Sequence, residues 1–161
     1  MKVISLNCQG LGNQPAVMGL LELWKAEEPY VLFLFETKLD KEEMKRIKVM
    51  LNMPNMEVKY CEGRSGGLAF FWKDDVKLTV NPRMLRYNID VVMSREDSFT
   101  WRLTGIYGEP QAGAREKMWK LMTIIHGQSN LPWMVLGDFN EILFENEKQG
   151  GQAKTQASMH T

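Results

Sequence analysis

Residues 30–36 read Tyr30-Val31-Leu32-Phe33-Leu34-Phe35-Glu36, an unbroken apolar run that changes abruptly to a carboxylate. A continuous apolar run of this length is typical of a strand that is covered on both faces. The stretch therefore predicts a buried central strand that ends at Glu36.

The segments on either side of this run alternate between strand and helix patterns. Residues 2–7 (KVISLN) predict a first strand, and the apolar residues of 17–24 recur at helical spacing behind Asn13, a typical N-cap. Asp40 and Glu43 have the spacing of a capping box that opens a second helix through about Leu51. This alternation predicts an α/β fold.

Four further strands are predicted in the middle of the chain, and we expect them to be antiparallel neighbours. Turn signals such as the Gly-Gly doublet at 66–67 and the Asn-Pro pair at 81–82 divide them. The predicted strands are 56–61, 67–72, 76–80 and 88–93.

The last third of the chain predicts a longer strand, a third helix and one more buried strand. The long strand carries Phe99, Trp101, Leu103 and Tyr107 on one face. The helix pattern covers 118–125, and the buried strand covers 133–136. Residues 145–161 hold almost nothing to bury, so we expect a partial domain over 1–144 followed by a polar loop or tail.

The composition is that of a globular protein, with 44% hydrophobic and 25% charged residues. The two cysteines form no CxxC pair, which disfavours a zinc site or a disulfide scaffold. Twenty basic residues balance twenty acidic ones, which disfavours a stand-alone nucleic-acid binder but allows an enzyme that meets a polyanion locally. No apolar run approaches the roughly 18 residues of a membrane span. We expect an intracellular protein, nuclear or cytoplasmic, with no membrane partner.

Three polar side chains follow strongly apolar strands: Asn7, Glu36 and Asp138. Strand exits are where an α/β sheet presents side chains to a crevice, and amide and carboxylate oxygens are hard ligands that suit Mg²⁺. The alternative is that each residue only begins a turn, since Asn and Asp favour turns. This alternative is weaker for Asp138, because Asn140 leaves the strand on the same side two residues later.

Several short motifs match those of one protein family, both in residue type and in their order along the chain. A single short motif arises easily by chance, whereas an ordered set does not. The motifs are 5–12 (SLNCQGLG), 35–38 (FETK), 64–69 (RSGGLA), 104–108 (TGIYG), 131–133 (LPW), 137–140 (GDFN) and 147–151 (EKQGG). On these residues the chain resembles the endonuclease domain of plant LINE-type retrotransposons, within the endonuclease/exonuclease/phosphatase superfamily.

The resemblance implies a fold, an activity and partners. The fold is part of a four-layer α/β sandwich of the DNase I-like kind, with mixed, largely antiparallel sheets. The activity is Mg²⁺-dependent hydrolysis of DNA phosphodiester bonds by metal-assisted attack of water, with Mn²⁺ as an alternative metal. DNA is then the partner, and a longer native open reading frame would carry a reverse transcriptase domain.

The resemblance also implies roles for individual residues. Glu36 would hold the metal, and Asn7 would support the metal and phosphate site. Asp138 would orient or deprotonate the attacking water, and Asn140 would position phosphate oxygens. Tyr107 would contact the scissile phosphate, although a core tyrosine remains an open alternative because it shares a face with apolar side chains.

One part of the family pattern does not match. Relatives carry a terminal Asp-His pair further along the chain, whereas the two histidines here are His126, which suits a helix C-terminus, and His160, which follows Met159. We therefore expect this chain to be a poor or inactive nuclease. We also expect the apolar faces at 70–72 and 133–135 to be incompletely covered and to promote self-association.

Two other functions stay open from the sequence. The first is a phosphatase of inositol phosphates or phospholipids, which is disfavoured because Glu141-Ile142-Leu143 follows GDFN in place of an Arg-bearing pattern. The second is a non-catalytic fragment that binds a protein through its uncovered sheet. The absence of the terminal His favours this second reading, whereas the presence of all four of Asn7, Glu36, Asp138 and Asn140 opposes it.

Overall fold

The chain forms eight strands and three helices within the residues that the computed structural model describes, which are 1–61, 63, 65–82, 87–108 and 112–140. They are, in chain order, β1 (Val3–Asn7), α1 (Gln14–Glu27), β2 (Val31–Phe35), α2 (Lys41–Leu51), β3 (Asn55–Lys59), β4 (Leu68–Trp72), β5 (Val76–Val80), β6 (Asn88–Arg95), β7 (Trp101–Tyr107), α3 (Ala112–Gly127) and β8 (Trp133–Asp138). The predicted α/β class is confirmed.

The first sheet has the strand order β1-β2-β4-β3. β1 and β2 run parallel, and α1 supplies the crossover that a parallel pair requires. β4 runs antiparallel to both β2 and β3. The register places Asn7 opposite Phe35, so β1 and β2 end at the same edge of the sheet.

The second sheet has the strand order β5-β6-β7-β8. β6 is antiparallel to β5 and to β7. Arg102 N donates a backbone hydrogen bond to Pro132 O near the start of both strands, and Gly108 N donates one to Asp138 O at their ends. β7 and β8 therefore run parallel, and both sheets have the mixed, largely antiparallel character that was predicted.

The prediction that the four middle strands are antiparallel neighbours is wrong as a whole. β3 pairs with β4 and β5 pairs with β6, but β4 and β5 belong to different sheets. The turn signals between β4 and β5 mark a change of chain direction, and a turn does not identify the strand with which the chain pairs next. β4 is apolar on both faces and takes the central place between β2 and β3.

Two apolar clusters use opposite faces of β2. Leu32 and Leu34 belong to a cluster with residues of α1 and α2, and Phe33 belongs to a cluster with residues of β6 and β7. Every residue of β2 is buried, as the continuous apolar run predicts. The two sheets approach closely at Gly105, where a Cβ would lie 2.6 Å from the Phe33 ring.

The sequence predicted incomplete coverage of two apolar stretches, 70–72 and 133–135. The prediction is wrong for the first stretch and correct for the second. Phe70 and Phe71 are fully buried, because β4 is a central strand with an apolar cluster on each face. Met134 in β8 is 50% exposed, so the prediction of a buried strand there is wrong. Among the described residues β8 pairs with one strand only, and such an edge strand is covered less than a central one.

Local capping explains where the first two helices begin. The Asn13 side chain accepts a hydrogen bond from Ala16 N at 2.9 Å, which satisfies a free amide at the start of α1. Asp40 and Glu43 form both bonds of the predicted capping box at the start of α2, each at 2.9 Å. Each bond of this kind contributes on the order of 1 kcal/mol to helix stability.

The chain divides into two compact units, Met1–Tyr107 with Leu131–Gly137 and Gly108–Asn130 with Asp138–Thr161. Both apolar clusters lie in the first unit. In the second unit, α3 has the buried residues Met118, Met122 and Ile125, which lie at the predicted helical spacing. No helix within the described ranges is long and apolar enough to cross a membrane. Arg64 of the RSGGLA motif and everything predicted for 141–161, including His160, lie outside the described residues.

Candidate active site

The exits of β1 and β2 are held together by backbone hydrogen bonds. Cys8 N donates to Phe35 O at 2.9 Å, and Gly10 N donates to Glu36 O at 2.8 Å. The Asn7 side chain accepts a bond from Gln9 N at 3.0 Å, which is an Asx turn. Asn7, the last residue of β1, and Glu36, the first residue after β2, were predicted together as a metal site and thus lie at adjoining strand ends. Asn7 also forms the turn that the sequence left open for it.

Glu36 carries the carboxylate of this edge. Its backbone has a φ of 56°, in the left-handed region, and its side chain is 20% exposed. The carboxylate Oε1 lies 3.3 Å from the Lys38 ammonium. The metal-binding candidate therefore has a positive charge beside it that the sequence prediction did not include.

The loop 36–38 is held from a second side by the glycine pair of the RSGGLA motif. Thr37 N donates to Gly67 O at 3.2 Å and Lys38 N donates to Gly66 O at 3.0 Å. A Cβ at Gly67 would lie 2.3 Å from the Thr37 hydroxyl oxygen, so only glycine fits there. The sequence signal for this contact was the Gly-Gly doublet, but its partner loop is far away in sequence.

The thiol of Cys8 lies next to the same edge. Burial raises its pKa to about 12 from the ordinary value of 9.0, and the negative charge of Glu36 raises it in the same direction. The thiol donates weakly to Leu6 O at 3.8 Å. Cys8 is therefore a neutral packing residue here rather than a thiolate ligand or nucleophile.

Tyr107 is the last residue of β7, and its ring packs against Phe35. The ring centroids are 5.9 Å apart, and the side chain is half-buried at the border of the apolar cluster between the sheets. A core contribution is thus real. The half-exposed ring also lies beside the strand end that carries Glu36, which keeps the predicted contact with phosphate open.

The last three residues of the GDFN segment, 138–140, form a compact turn in the second unit. Asp138 Oδ1 accepts from Asn140 N at 2.8 Å, Gly108 N donates to Asp138 O, and the Asn140 side-chain amide donates to Gly108 O. The Phe139 ring stacks on Trp119 with centroids 5.7 Å apart. Asp138 and Asn140, predicted to act together, are therefore held in one hydrogen-bonded turn.

The predicted residues thus form two local groups, one in each compact unit. Asn7, Glu36 and Tyr107 belong to the first unit, and Asp138 and Asn140 belong to the second. Within the described part of the chain no three His, Cys, Asp or Glu side chains converge as a metal cluster. The donor set at Glu36 and Asn7 is nevertheless chemically suited to Mg²⁺, which keeps most of its waters and uses one or two carboxylates with substrate phosphate.

The endonuclease/exonuclease/phosphatase family matches the chain over residues 4–158. No curated protein sequence matches it. Among solved structures, the chain is similar to the endonuclease domain of TRAS1, a telomere-specific non-LTR retrotransposon (TM-score 0.64, 14% identity, 88% of this chain and 61% of that one).

Two other similar structures act on or bind different molecules. A mannosyl-6-phosphatase of Bacteroides thetaiotaomicron has a TM-score of 0.62 at 14% identity, over 88% of this chain and 66% of that one. A 3′ phosphatase of Neisseria, bound to a product DNA hairpin, has a TM-score of 0.64 at 16% identity, over 90% of this chain and 60% of that one. At these identities the likeness shows the fold. The chain spans about three fifths of the length of the retrotransposon endonuclease.

Proposed function

This chain belongs to the endonuclease/exonuclease/phosphatase family, and from that premise we propose that it hydrolyses DNA phosphodiester bonds with Mg²⁺, in the manner of a retrotransposon endonuclease. The observation that carries the proposal is the GDFN turn, in which one hydrogen bond orders Asp138 and Asn140 together. The similarity to a retrotransposon endonuclease supports the substrate class.

We assign the metal to Glu36, with Asn7 in support. A bound Mg²⁺ would offset negative charge on the phosphate oxygens. Glu36 is suited to this role because it offers a carboxylate that is only partly exposed at a strand end. Asn7 already uses its side-chain oxygen on Gln9 N, so its direct share of the metal is smaller than that of Glu36.

Asp138 is assigned to the attacking water. Its Oδ1 is taken by Asn140 N, which orients the carboxylate and leaves Oδ2 to accept a hydrogen bond from water. Asn140 uses one side-chain N–H on Gly108 O, and its remaining amide groups are suited to phosphate oxygens. Tyr107 would contribute its hydroxyl to the scissile phosphate.

A plasmid-nicking assay with Mg²⁺ tests the proposal. Asp138→Asn keeps the shape and the bond from Asn140 N but removes the negative charge, so we expect it to abolish nicking above background, as chelation should. Nicking that is equal in the wild-type and variant proteins would contradict the assignment. Clear Asp138-dependent nicking would support the proposal and would overturn the expectation, made from the sequence, of a poor or inactive nuclease.

Hydrolysis of phosphate monoesters is a second candidate. It is favoured by the similarity to a sugar phosphatase and to a 3′ phosphatase. Phosphate release from mannose 6-phosphate and from a 3′-phosphorylated DNA hairpin, measured beside plasmid nicking, separates the two activities. Asp138-dependent phosphate release without nicking would replace the endonuclease proposal.

A further inference from the structure

The inference concerns Lys38 and rests on the proposed metal role of Glu36. Lys38 lies two residues after Glu36, and its ammonium is 3.3 Å from the carboxylate. It is the one cation within ion-pair distance of Glu36 in the described part of the chain. Glu36, the proposed ligand of Mg²⁺, therefore already has the Lys38 ammonium beside its carboxylate.

The position of Lys38 is built by the surrounding backbone. Lys38 has a φ of 55°, a conformation that a side-chain-bearing residue adopts only when its surroundings impose it. The backbone bond from Lys38 N to Gly66 O holds one side of the loop, and the bond from Gly10 N to Glu36 O holds the other. The loop geometry therefore fixes where the lysine stem begins.

Gly10 makes room for that stem. A Cβ on Gly10 would lie 3.3 Å from Lys38 Cδ, so the aliphatic part of the lysine passes directly over this glycine. The Lys38 side chain is 39% exposed, so solvent reaches it beside the Glu36 carboxylate. Lys38 is thus placed to reach both the carboxylate and a ligand that arrives from solution.

We propose that Lys38 is a counter-cation that competes with the divalent metal for Glu36 and, once displaced, binds a phosphate group of the substrate. The pair Glu36 and Lys38 is neutral as a unit, so an arriving metal must displace the ammonium from Oε1. The Lys38 ion pair and a bound metal are mutually exclusive at that oxygen, so the two are thermodynamically linked. Lysine binds phosphate as a flexible point charge, which suits the second role.

The neighbouring charges favour this arrangement. In the described part of the chain, the Lys38 ammonium is the cation that lies beside the Glu36 carboxylate, 3.3 Å from Oε1. We therefore expect the charge on Lys38 to set how strongly Glu36 attracts a metal and how strongly the loaded site attracts a phosphate.

Mn²⁺ titration by calorimetry tests the first half of the proposal. Lys38→Met keeps the aliphatic stem and removes the charge, so we expect Mn²⁺ to bind about fivefold more tightly, as loss of an exposed competing ion pair implies. Lys41→Met, which removes an exposed charge from the start of α2, is the matched control and should leave the Mn²⁺ affinity unchanged. Equal or weaker Mn²⁺ binding by folded Lys38→Met overturns the proposal.

Binding of a fluorescent single-stranded DNA at saturating Mn²⁺ tests the second half, with Asp138→Asn present throughout to prevent cleavage. Lys38→Met should weaken DNA binding about tenfold, and Lys38→Arg should restore most of it. If Lys38 had only a structural role, its replacement by Met would not tighten Mn²⁺ binding and weaken DNA binding at the same time. Unchanged DNA binding by Lys38→Met overturns the phosphate role.

Glu36→Gln separates the role of Lys38 from the metal role of Glu36 on which it rests. Glu36→Gln should abolish Mn²⁺ binding whatever Lys38 does. If wild-type protein and Glu36→Gln bind Mn²⁺ equally, the metal assignment itself fails. If binding depends on Glu36 but Lys38→Met does not tighten it, the inference about Lys38 alone is contradicted.

Discussion

At the scale of single residues, Gly137 decides how β8 ends beside β7. Its φ is 129°, and a Cβ there would lie 1.8 Å from Ile106 O, which is a backbone atom that cannot move aside cheaply. We expect Gly137→Ala to lower the free energy of unfolding by about 3 kcal/mol or more. Urea denaturation measures the change.

The matched control is Gly19→Ala, on the exposed side of α1, where a Cβ meets nothing within 4 Å. Alanine is the better helix former by about 0.8–1 kcal/mol, so this variant should be more stable than the wild type. Equal effects of the two substitutions would show that the close approach at Gly137 is not real.

Cys8 should be the slower of the two thiols to react. Because its folded-state pKa of about 12 lies above the ordinary 9.0, the folded protein keeps the proton that an unfolded chain loses as pH rises through 9. This thiol therefore favours the folded state below pH 9, and that contribution is lost as pH rises toward 12. At pH 8 we expect Cys8 to react with a thiol reagent at least about tenfold more slowly than Cys61.

Single-cysteine variants make this measurement specific. Cys61→Ser leaves Cys8 as the only thiol, and Cys8→Ser leaves Cys61. Adding Glu36→Gln to the Cys8-only protein removes the nearby negative charge and should increase its rate. A Cys8 that reacts as fast as Cys61 in the folded protein would contradict the stated burial effect.

At the scale of elements, a buried polar network joins β6, β7 and the start of β8. Asp90 is fully buried and accepts bonds from Arg102 Nε at 3.0 Å and from Thr104 Oγ1 at 2.7 Å. Trp133 Nε1 donates to the same threonine oxygen at 2.9 Å, and Asn81 Nδ2 donates to Asp90. Because each of these bonds links different elements, the network fixes how the strands align.

Removing Asp90 should be costly because Arg102, whose side chain is 6% exposed, would lose its buried ion pair with that carboxylate. We expect Asp90→Ala to lower the unfolding free energy by about 3–5 kcal/mol, whereas replacing both Asp90 and Arg102 by apolar residues should cost less. Glu42→Ala, which breaks an exposed pair with Lys45, is the control and should change stability by under about 1 kcal/mol. Urea denaturation measures the unfolding free energy of all three variants. A double variant as unstable as Asp90→Ala would contradict the expected cost of the buried charge.

At the scale of the whole molecule, the first unit leaves an apolar surface beside β8. A cavity of about 530 Å³ lies there, lined mainly by apolar side chains that include Met1, Phe99, Trp101 and Met134. Phe99 is 70% exposed, and it lies outside β7, although the sequence pattern placed it in that strand. Edge strands with apolar surroundings promote association unless a charge protects them.

We therefore expect the chain to self-associate as its concentration rises, and Met134→Lys to reduce this association. Val49→Lys is the control, because Val49 is an exposed apolar residue of α2 that does not line the cavity. Analytical ultracentrifugation over a range of concentrations measures both. A wild-type chain that remains monomeric, or equal effects of the two variants, would contradict the expectation.

The sequence by itself determined the elements and the identity of the candidate site residues. The apolar run of β2, the Asn13 cap and the Asp40–Glu43 capping box are local patterns, and each is confirmed because it depends on neighbours within a few residues. Asn7, Glu36 and Asp138 could be selected as candidates for the same reason, since each stands at the end of a strand pattern, and Asn140 was selected because it follows Asp138 by two residues.

Only the tertiary structure decided which distant segments meet. The separation of β4 and β5 into different sheets, the exposure of Met134 at an edge, and the contact of the 66–67 glycines with the loop 36–38 all depend on partners far away in sequence. The position of Lys38 beside Glu36 also depends on distant residues, because backbone hydrogen bonds to Gly10 and Gly66 hold the loop 36–38. Local periodicity records which face of an element is buried, but not which other element covers it.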